Sequence, residues 1–356
     1  MRFWQVSLLR RQHGRPLWKP AGYKGRPSLY AATMLPPFPG TDLSFADQLD
    51  LLKSRGLAVT DEPLALRHLE RIGYYRLKSY WFPFCETRTS TGSDGKPVTQ
   101  ALETFRAGTE FQHAVQLYVF DKKLRLLMSD AIERIEVALR VDIAHTLGHR
   151  DPWAHRNPGK LDPKRAVQIR NGVTRHHEWL TRADEAADRT RIDWIVEAIK
   201  GHSTPLPIWI AVETWDFGIL SHLFEIAHPA DRVRISRKYG IPDPEMLVSW
   251  MRTLTYVRNI CAHHSRLWNH PLVLQPKIPA LGLIPELNQL SLYTPCANRV
   301  YASAAIAQHL ISVINPASSW KERLKALWGA FPKAPGITPA LATGFMPSWT
   351  SWALWQ

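Results

Sequence analysis

The chain has 356 residues, of which 45% are hydrophobic and 21% charged, a composition typical of a globular protein with one large domain or two modest ones. No apolar stretch approaches the roughly 18 residues needed to cross a bilayer, which argues against a membrane span. The formal net charge of +14 permits a nucleic-acid partner. The three cysteines are widely spaced, which argues against a disulfide framework or a structural zinc site and favours a cytoplasmic protein.

Half of the net positive charge lies in residues 1–40, which contain seven basic residues and no acidic one. This segment is rich in Pro and Gly and has no helical or alternating period, so we expect it to be disordered. It lacks the apolar core of a signal peptide. Met34 directly precedes the first organised segment, which leaves open that translation starts there. The chain from Thr41 onward has a mild basic bias that permits RNA binding without demanding it.

Helical periodicity begins at Ser44. Ser44 caps a predicted helix that Gly56 ends, and Asp61 with Pro63 opens a second one. Residues 87–99 are rich in Gly, Ser, Thr and Asp, which predicts a turn-rich surface loop.

An aromatic cluster, Tyr74–Phe84, lies between these two features. Arg76 and Lys78 are interleaved with the rings, a pattern that could stack and hold RNA bases, so we treat both cations as candidate RNA-binding residues. The same pattern also fits core packing with basic side chains reaching to the surface, which is the commoner arrangement.

The strongest helix signal runs from Thr109 to about Gly148. Thr109 and Gln112 form a predicted capping box, and apolar residues then recur at a spacing near 3.6. A helix of this length is typical of the central element of a bundle. Glu133 and Glu136 are three apart on one face, where ion pairing is more common than cation binding.

The remainder of the chain predicts further helices separated by proline-rich breaks. Because no strand alternation or internal repeat is evident, the fold class is all-α, with one domain over residues 41–330 and a flexible tail over 331–356. Residues 269–295 are predicted to be irregular. Helices are predicted at 174–200, 208–227 with a break at Phe217-Gly218, 231–239, 244–264, 298–314 and 319–328.

Residues 258–269, RNICAHHSRLWN, concentrate polar chemistry in one place. This density of cations and imidazoles would repel itself in a dry core, so the stretch should face water or phosphate. Five arginines in the chain precede a histidine at a comparable spacing, close to the about four expected by chance, so spacing alone selects nothing. On an ideal helix, however, Asn259, His263 and Arg266 share one stripe, and Arg258 is long enough to lean toward it.

This group suits metal-independent cleavage of RNA. A histidine can take the proton from a ribose 2′-OH, the oxygen attacks the adjacent phosphorus, and arginines such as Arg258 and Arg266 stabilise the developing charge. One imidazole cannot easily serve as base and acid on opposite sides of the phosphorus. His264, or His263 of a second copy, could complete the pair, and the roughly 100° between adjacent helical residues favours the second copy.

Arg140 and His145 form a second Arg-x4-His element at the end of the long helix. Facing the first element, they could complete the site within one chain. A helix C-terminus also attracts such residues because of the helix dipole alone.

Four segments of the chain carry a resemblance to a known family. They are RIGYYRLKSYWFPF (Arg71–Phe84), LYVFDKKLRLLMSDAIERIEVALR (Leu117–Arg140), PIWIAVETWDFGILSHL (Pro207–Leu223) and residues 258–269. Together they resemble the Abi-like abortive-infection family, which belongs to the HEPN superfamily of α-helical nucleotide-binding and RNase domains. The similarity covers about Ser44 to Leu274.

The resemblance implies an antiphage or toxin-type role and a HEPN-like helical bundle with additional helices and disordered termini. By analogy with HEPN ribonucleases, Arg258 and His263 are the catalytic pair of an endoribonuclease that leaves 2′,3′-cyclic phosphate ends, and Asn259 is the polar residue that commonly follows the arginine. His264 remains an alternative base. The implied partners are RNA and a second copy of the chain in a homodimer, and such systems also allow an antitoxin or a regulatory RNA. No cofactor and no metal are implied.

Other interpretations remain open. A non-catalytic RNA- or protein-binding module of the same fold would use the same basic stripe. A metal-dependent hydrolase would need His176, His177 or the Glu133 and Glu136 pair, but no further ligand stands at a supporting spacing. Finally, His263 and its neighbours could do no more than satisfy the terminal carbonyls of a helix.

Overall fold

One helix, α4 (Phe111–Arg150), forms the axis of the fold. Its forty residues extend about 60 Å at a rise of 1.5 Å per residue. The computed structural model describes residues 42–91, 97–170, 172–202 and 205–356. The predicted disordered segment 1–40 lies outside the described residues, and the contacts of Phe45–Gln356 join them in one compact unit.

Fourteen α-helices in the described residues confirm the all-α class. None of them is both long and apolar enough to span a bilayer. Besides α4 they are α1 (Phe45–Ser54), α2 (Glu62–Ile72), α3 (Tyr74–Trp81), α5 (Arg175–Asp188), α6 (Asp193–Gly201), α7 (Ile208–Ala211), α8 (Phe217–Ile226), α9 (Pro229–Lys238), α10 (Pro244–Ala262), α11 (Asn288–Leu292), α12 (Val300–Ile314), α13 (Trp320–Gly329) and α14 (Pro339–Thr343).

Helix starts follow the capping chemistry, although not always at the predicted residue. Asp61 caps α2 by accepting the Leu64 amide at 2.9 Å, as its position before a Pro-containing first turn predicts. For α4 the predicted capping box is wrong by one residue, because Glu110 and His113 form the reciprocal pair while Thr109 is buried before it. Glutamate is less common than threonine at a helix N-cap, so the role of Glu110 is evident only from its extended backbone in the structure.

Two predicted helices are each divided. The polar segment 174–200 forms α5 and α6, and the segment 208–227 forms α7, a 3-10 turn and α8. The second division reflects Asp216, whose extended backbone and carboxylate, accepting the Ile219 amide at 2.8 Å, start a new helix at Phe217.

The predicted surface loop at 87–99 is wrong at both ends, because residues 87–91 and 97–99 lie in strands, whereas its centre, 92–96, lies outside the described residues. Strand β1 (Cys85–Thr91) pairs antiparallel with β2 (Pro97–Phe105), and a second small pair joins β3 (Ile169–Arg170) to β4 (Val173–Thr174). Every β1 residue after Cys85 is exposed. A strand with water on both faces has no alternation of apolar and polar residues, so the periodicity that marks half-buried strands is absent from its sequence.

The predicted flexible tail also differs from the structure. After α13 the chain forms α14 and two 3-10 turns and buries Phe345, Trp349 and Trp355. Phe345 stacks on Trp328 with ring centroids 3.7 Å apart, and the Trp355 indole donates to the Tyr301 hydroxyl at 3.1 Å. The tail has no helical period because its aromatic rings are buried in the core one at a time. Burial of large rings in this way attaches a segment to the core without a long helix.

A buried carboxylate ties the segment after α10 to the central helix. Asp121 of α4 is fully buried and accepts the backbone amides of Leu267 and Trp268, the second at 2.8 Å. Its other donors are the Tyr80 hydroxyl at 2.7 Å and the Arg125 guanidinium. Burial raises the pKa of the Asp121 carboxyl, whereas Arg125 and the hydrogen bonds stabilise its ionised form.

Asp121→Ala should lower the free energy of unfolding by about 3–5 kcal/mol, because Arg125 would keep its buried charge without a partner. The matched control is Asp130→Ala, which removes an i,i+4 carboxylate from an arginine of the same helix at a partly exposed position. Its expected cost is below about 1 kcal/mol. Urea denaturation of the three proteins measures both values, and equal losses would contradict the role given to Asp121.

Candidate functional site

The end of α10 is a tightly closed helix terminus. The Ser265 amide donates to the Ile260 carbonyl at 2.9 Å, and the His264 amide donates to Cys261 at 3.1 Å. These two bonds define a Schellman motif, in which the residue beyond the cap adopts the left-handed conformation. Here that residue is His264, with a φ of 55°, the only described non-glycine residue with positive φ.

The two candidate bases differ in backbone geometry. His263 is the C-cap of α10 with φ −86° and ψ 8°, and its amide donates to the Asn259 carbonyl at 3.0 Å. It therefore stays close to the helical register, where it shares a face with Asn259. The left-handed backbone at His264 turns its side chain away from that register. Both imidazoles are exposed, and the geometry favours His263 as the group that acts together with Asn259.

Arg258 does lean toward Asn259. Its Nη1 donates to the Asn259 Oδ1 at 3.2 Å, which offsets the angular separation of the two positions on the helix. Arg258 also interacts electrostatically with Glu136 of α4. Burial raises the pKa of Glu136, and the charges of Arg140 and Arg258 oppose that shift. Arg258 therefore combines a hydrogen bond to the exposed carboxamide with attraction to a carboxylate of α4.

The predicted stripe is wrong for Arg266. Because α10 ends at Ala262, Arg266 leaves the helical register, and its Nη1 donates to the Ser79 carbonyl at 2.6 Å. Arg76 of α3 donates in the opposite direction, to the His264 carbonyl at 2.9 Å. These two bonds attach α3 to the segment that follows α10, which we call the site loop (residues 263–268). They also occupy Arg76 and Arg266, two of the residues predicted from the sequence to bind RNA. Lys78 is exposed and remains a candidate for that role.

Part of the aromatic cluster packs in the core, and part of it is exposed and available to stack on RNA bases. Tyr80, Trp81 and Phe84 are buried and belong to the core. Tyr75 is 82% exposed and Phe82 57% exposed. Only these last two offer a free ring face, and Tyr75 adjoins Arg76, the residue that holds the site loop.

The Arg140 guanidinium forms ion pairs and a hydrogen bond with other residues of the chain. It donates to Glu136 at 2.9 Å, to Glu213 at 3.1 Å and to the Trp215 carbonyl at 2.9 Å. This placement confirms ion pairing for Glu136. It leaves Arg140 poorly placed as half of a second catalytic element, although His145 is exposed.

A group of charged residues that the sequence did not single out lies where α5, α8 and α10 meet. Glu225 of α8 pairs with Arg175 of α5 at 2.5 Å and with Arg252 of α10. Next to it, Arg182 Nη1 lies 3.5 Å from the Nδ1 of His222. The one available signal was the motif Pro207–Leu223, which contains His222.

Metal and thiol chemistry find little support in the side chains. Across the described ranges no three His, Cys, Asp or Glu side chains lie together as a metal site would need. His176 is buried and donates to the His155 carbonyl at 2.9 Å, whereas the adjacent His177 is exposed, so the two do not converge. Burial raises the pKa of Cys261 to about 12, which keeps this neighbour of the site a thiol.

A family model described as Abi-like protein matches residues 67–269. The match covers more than half of the chain and includes α4, α8, α10 and the candidate site, so the chain belongs to the Abi-like family. No curated protein and no solved structure matches the chain.

His264→Gly should raise the free energy of unfolding by about 1 kcal/mol, because glycine adopts the left-handed conformation without the clash that a Cβ introduces. His263→Gly is the matched control. Its backbone is near-helical, so the added chain entropy should lower the free energy of unfolding by about 0.5–1 kcal/mol. Chemical denaturation separates the two signs, and a loss in both variants would show that His264 is not strained.

Stability should fall as the pH is lowered from 6.5 toward 4. Burial, with neighbouring arginines, lowers the pKa of His155 and of His222 to about 4. Between that value and about 6.5 the unfolded chain binds protons that the folded chain does not, which lowers the free energy of unfolding by up to about 1.4 kcal/mol per pH unit for each histidine.

Denaturation curves at several pH values measure this dependence. The double substitution His155→Gln with His222→Gln should flatten it, whereas His177→Gln, at an exposed position, should leave it unchanged. An unaltered slope in the double variant would assign the proton uptake to other groups.

Proposed function

We propose that the protein is a metal-independent endoribonuclease of the HEPN type that acts in abortive infection. The observation that carries this proposal is the grouping of Arg258, Asn259 and exposed His263 at the closed end of α10, within the region that matches the Abi-like family. His263 takes the proton of a ribose 2′-OH, and the 2′-oxygen forms a bond to the adjacent phosphorus. The bond from phosphorus to the 5′-oxygen then breaks, and an acid protonates the leaving oxygen.

Arg258 stabilises the negative charge that builds up on the phosphorane. Its guanidinium is held by the bond to Asn259 and attracted by Glu136, which reduces the reorganisation needed when charge develops. Positioned cations of this kind are a large part of phosphoryl-transfer catalysis.

A second copy of the chain supplies the acid. Leu126, Val137 and Val141 of α4 are 63%, 52% and 58% exposed and share one face of the helix that packs against α10. Their positions in the sequence differ by 11 and 4 residues, close to whole turns of a helix. An exposed apolar strip of this kind suits a twofold interface that brings two copies of His263 toward one phosphate.

The alternative is a non-catalytic RNA- or protein-binding module. The observation that favours it is the engagement of Arg76 and Arg266 within the chain, which leaves fewer cations free around a transition state. Such a module would bind through Arg258 and Lys78 and would not require His263.

The purified protein should cut single-stranded RNA in the presence of EDTA and leave 2′,3′-cyclic phosphate ends. His263→Ala should reduce the rate by at least about 100-fold, because general base catalysis typically contributes that much. His264→Gly retains the closed helix end and should keep most of the activity. Cleavage rates on a labelled oligoribonucleotide, with the oligomeric state measured by sedimentation, test both statements.

Three outcomes would contradict the proposal. Full cleavage by His263→Ala would remove the proposed base, and dependence on a divalent cation would indicate different chemistry. If no cleavage occurs while RNA binding survives in His263→Ala and weakens in Arg258→Ala, the binding module is the correct function.

A further inference from the structure

The charged group between α5, α8 and α10 contains more positive than negative charge. Arg175 and Arg252 share the single carboxylate of Glu225, and Arg182 Nη1 lies against the imidazole of His222. The next carboxylate is Asp216, whose Oδ1 and the Arg182 Nη2 would lie 3.1 Å and 3.9 Å from a Cβ at Gly218, and this oxygen already accepts the Ile219 amide. Three guanidiniums therefore stand against two carboxylates when the imidazole is neutral.

Two other arginines of the fold each pair with two carboxylates. Arg140 pairs with both Glu136 and Glu213, and Arg232 pairs with both Asp162 and Glu245. Around His222, by contrast, guanidiniums outnumber carboxylates, and cations at such short range repel each other unless an anion joins them.

Burial and the nearby guanidiniums lower the pKa of His222 to about 4, so its imidazole is neutral at physiological pH. Because a guanidinium only donates hydrogen bonds, Nδ1 of His222 accepts from Arg182 and leaves Nε2 to carry the proton. His222 is therefore an uncharged member of the group that keeps one N–H donor.

The cations lie along the same face of α10 as the candidate catalytic group. Arg252, Thr255, Asn259 and His263 follow one another at intervals of three or four residues, and Arg252 precedes Asn259 by about 10 Å along the helix. Arg252 is 40% exposed. Gly218 of α8 faces this surface, since a Cβ there would lie 3.7 Å from the Thr255 methyl and 3.9 Å from Arg182 Nη2.

We propose that Arg182 and Arg252, together with His222, bind a backbone phosphate of the RNA strand whose scissile phosphate lies at Arg258 and His263. This inference rests on the proposed function. A phosphodiester supplies the missing negative charge, and guanidiniums bind phosphate oxygens in paired hydrogen bonds. The distance along α10 exceeds one nucleotide step, so the contact is made by an oligonucleotide and not by a dinucleotide.

Binding of uncleaved RNA tests this inference without relying on activity. In a His263→Ala background, Arg182→Gln should weaken binding of a long single-stranded oligoribonucleotide by about tenfold, the loss expected for a charged hydrogen bond. The slope of log K against log salt concentration should fall by about 0.7 for the lost phosphate contact. Affinity for a dinucleoside monophosphate should not change, and fluorescence anisotropy measures all three quantities.

Arg234→Gln is the matched control. It removes the same charge from an exposed position on α9, outside the group, and should leave the affinity and the slope unchanged. Arg252→Gln provides a second variant and should repeat the effect of Arg182→Gln. Denaturation curves check that the variants are folded, which is expected for Arg182→Gln because no buried carboxylate loses its partner.

The results separate this inference from the proposed function. Unchanged binding and slope in Arg182→Gln would overturn the inference, as would an equal loss for long RNA and dinucleotide, which indicates an indirect effect on the fold. Tight binding of inorganic phosphate or a mononucleotide that Arg182→Gln abolishes would identify a small phosphate ligand and would also overturn it. If the predicted binding losses occur but the wild type cuts no RNA, the phosphate site stands and the ribonuclease proposal fails.

Discussion

The geometry of the candidate site depends on one buried carboxylate. Asp121 accepts the amides of Leu267 and Trp268, so the chain leaving α10 must return to α4 immediately after the histidines. Tyr80 brings α3 to the same carboxylate. Without this point of attachment the segment after the Schellman turn would keep its bonds to α3 but would lose two backbone hydrogen bonds to the central helix.

A second consequence of this attachment is local strain. The return of the chain requires a sharp reversal, and His264 takes the left-handed conformation that makes it possible. Arg76 and Arg266 connect the reversal to α3, each through a backbone carbonyl. A histidine where glycine would be easier indicates that the side chain, or the shape of the turn with a Cβ, has a use at the surface.

The sequence predicted the elements whose signals are local and repeated. The long period of α4, the cap at Asp61 and the proline breaks gave the all-α class and most of the helices. It missed the hairpin β1–β2, whose exposed residues carry no alternation, and the tail, whose aromatic residues are buried one by one. In both cases the decisive interactions are not periodic along the chain.

The site was predictable in part for the same reason. Arg258, Asn259 and His263 are neighbours in sequence, so helical geometry brings them together. The places of Arg266 and Arg76 depend on carbonyls in another element, and the group around His222 joins three helices, so spacing could not reveal either. The segment of α4 between Asp121 and Glu136 connects the local contacts of the site to contacts between helices. Because one helix holds the loop and faces Arg258, a single inserted residue would rotate one contact by about 100° relative to the other. Evolution can therefore vary the composition of this segment more freely than its length.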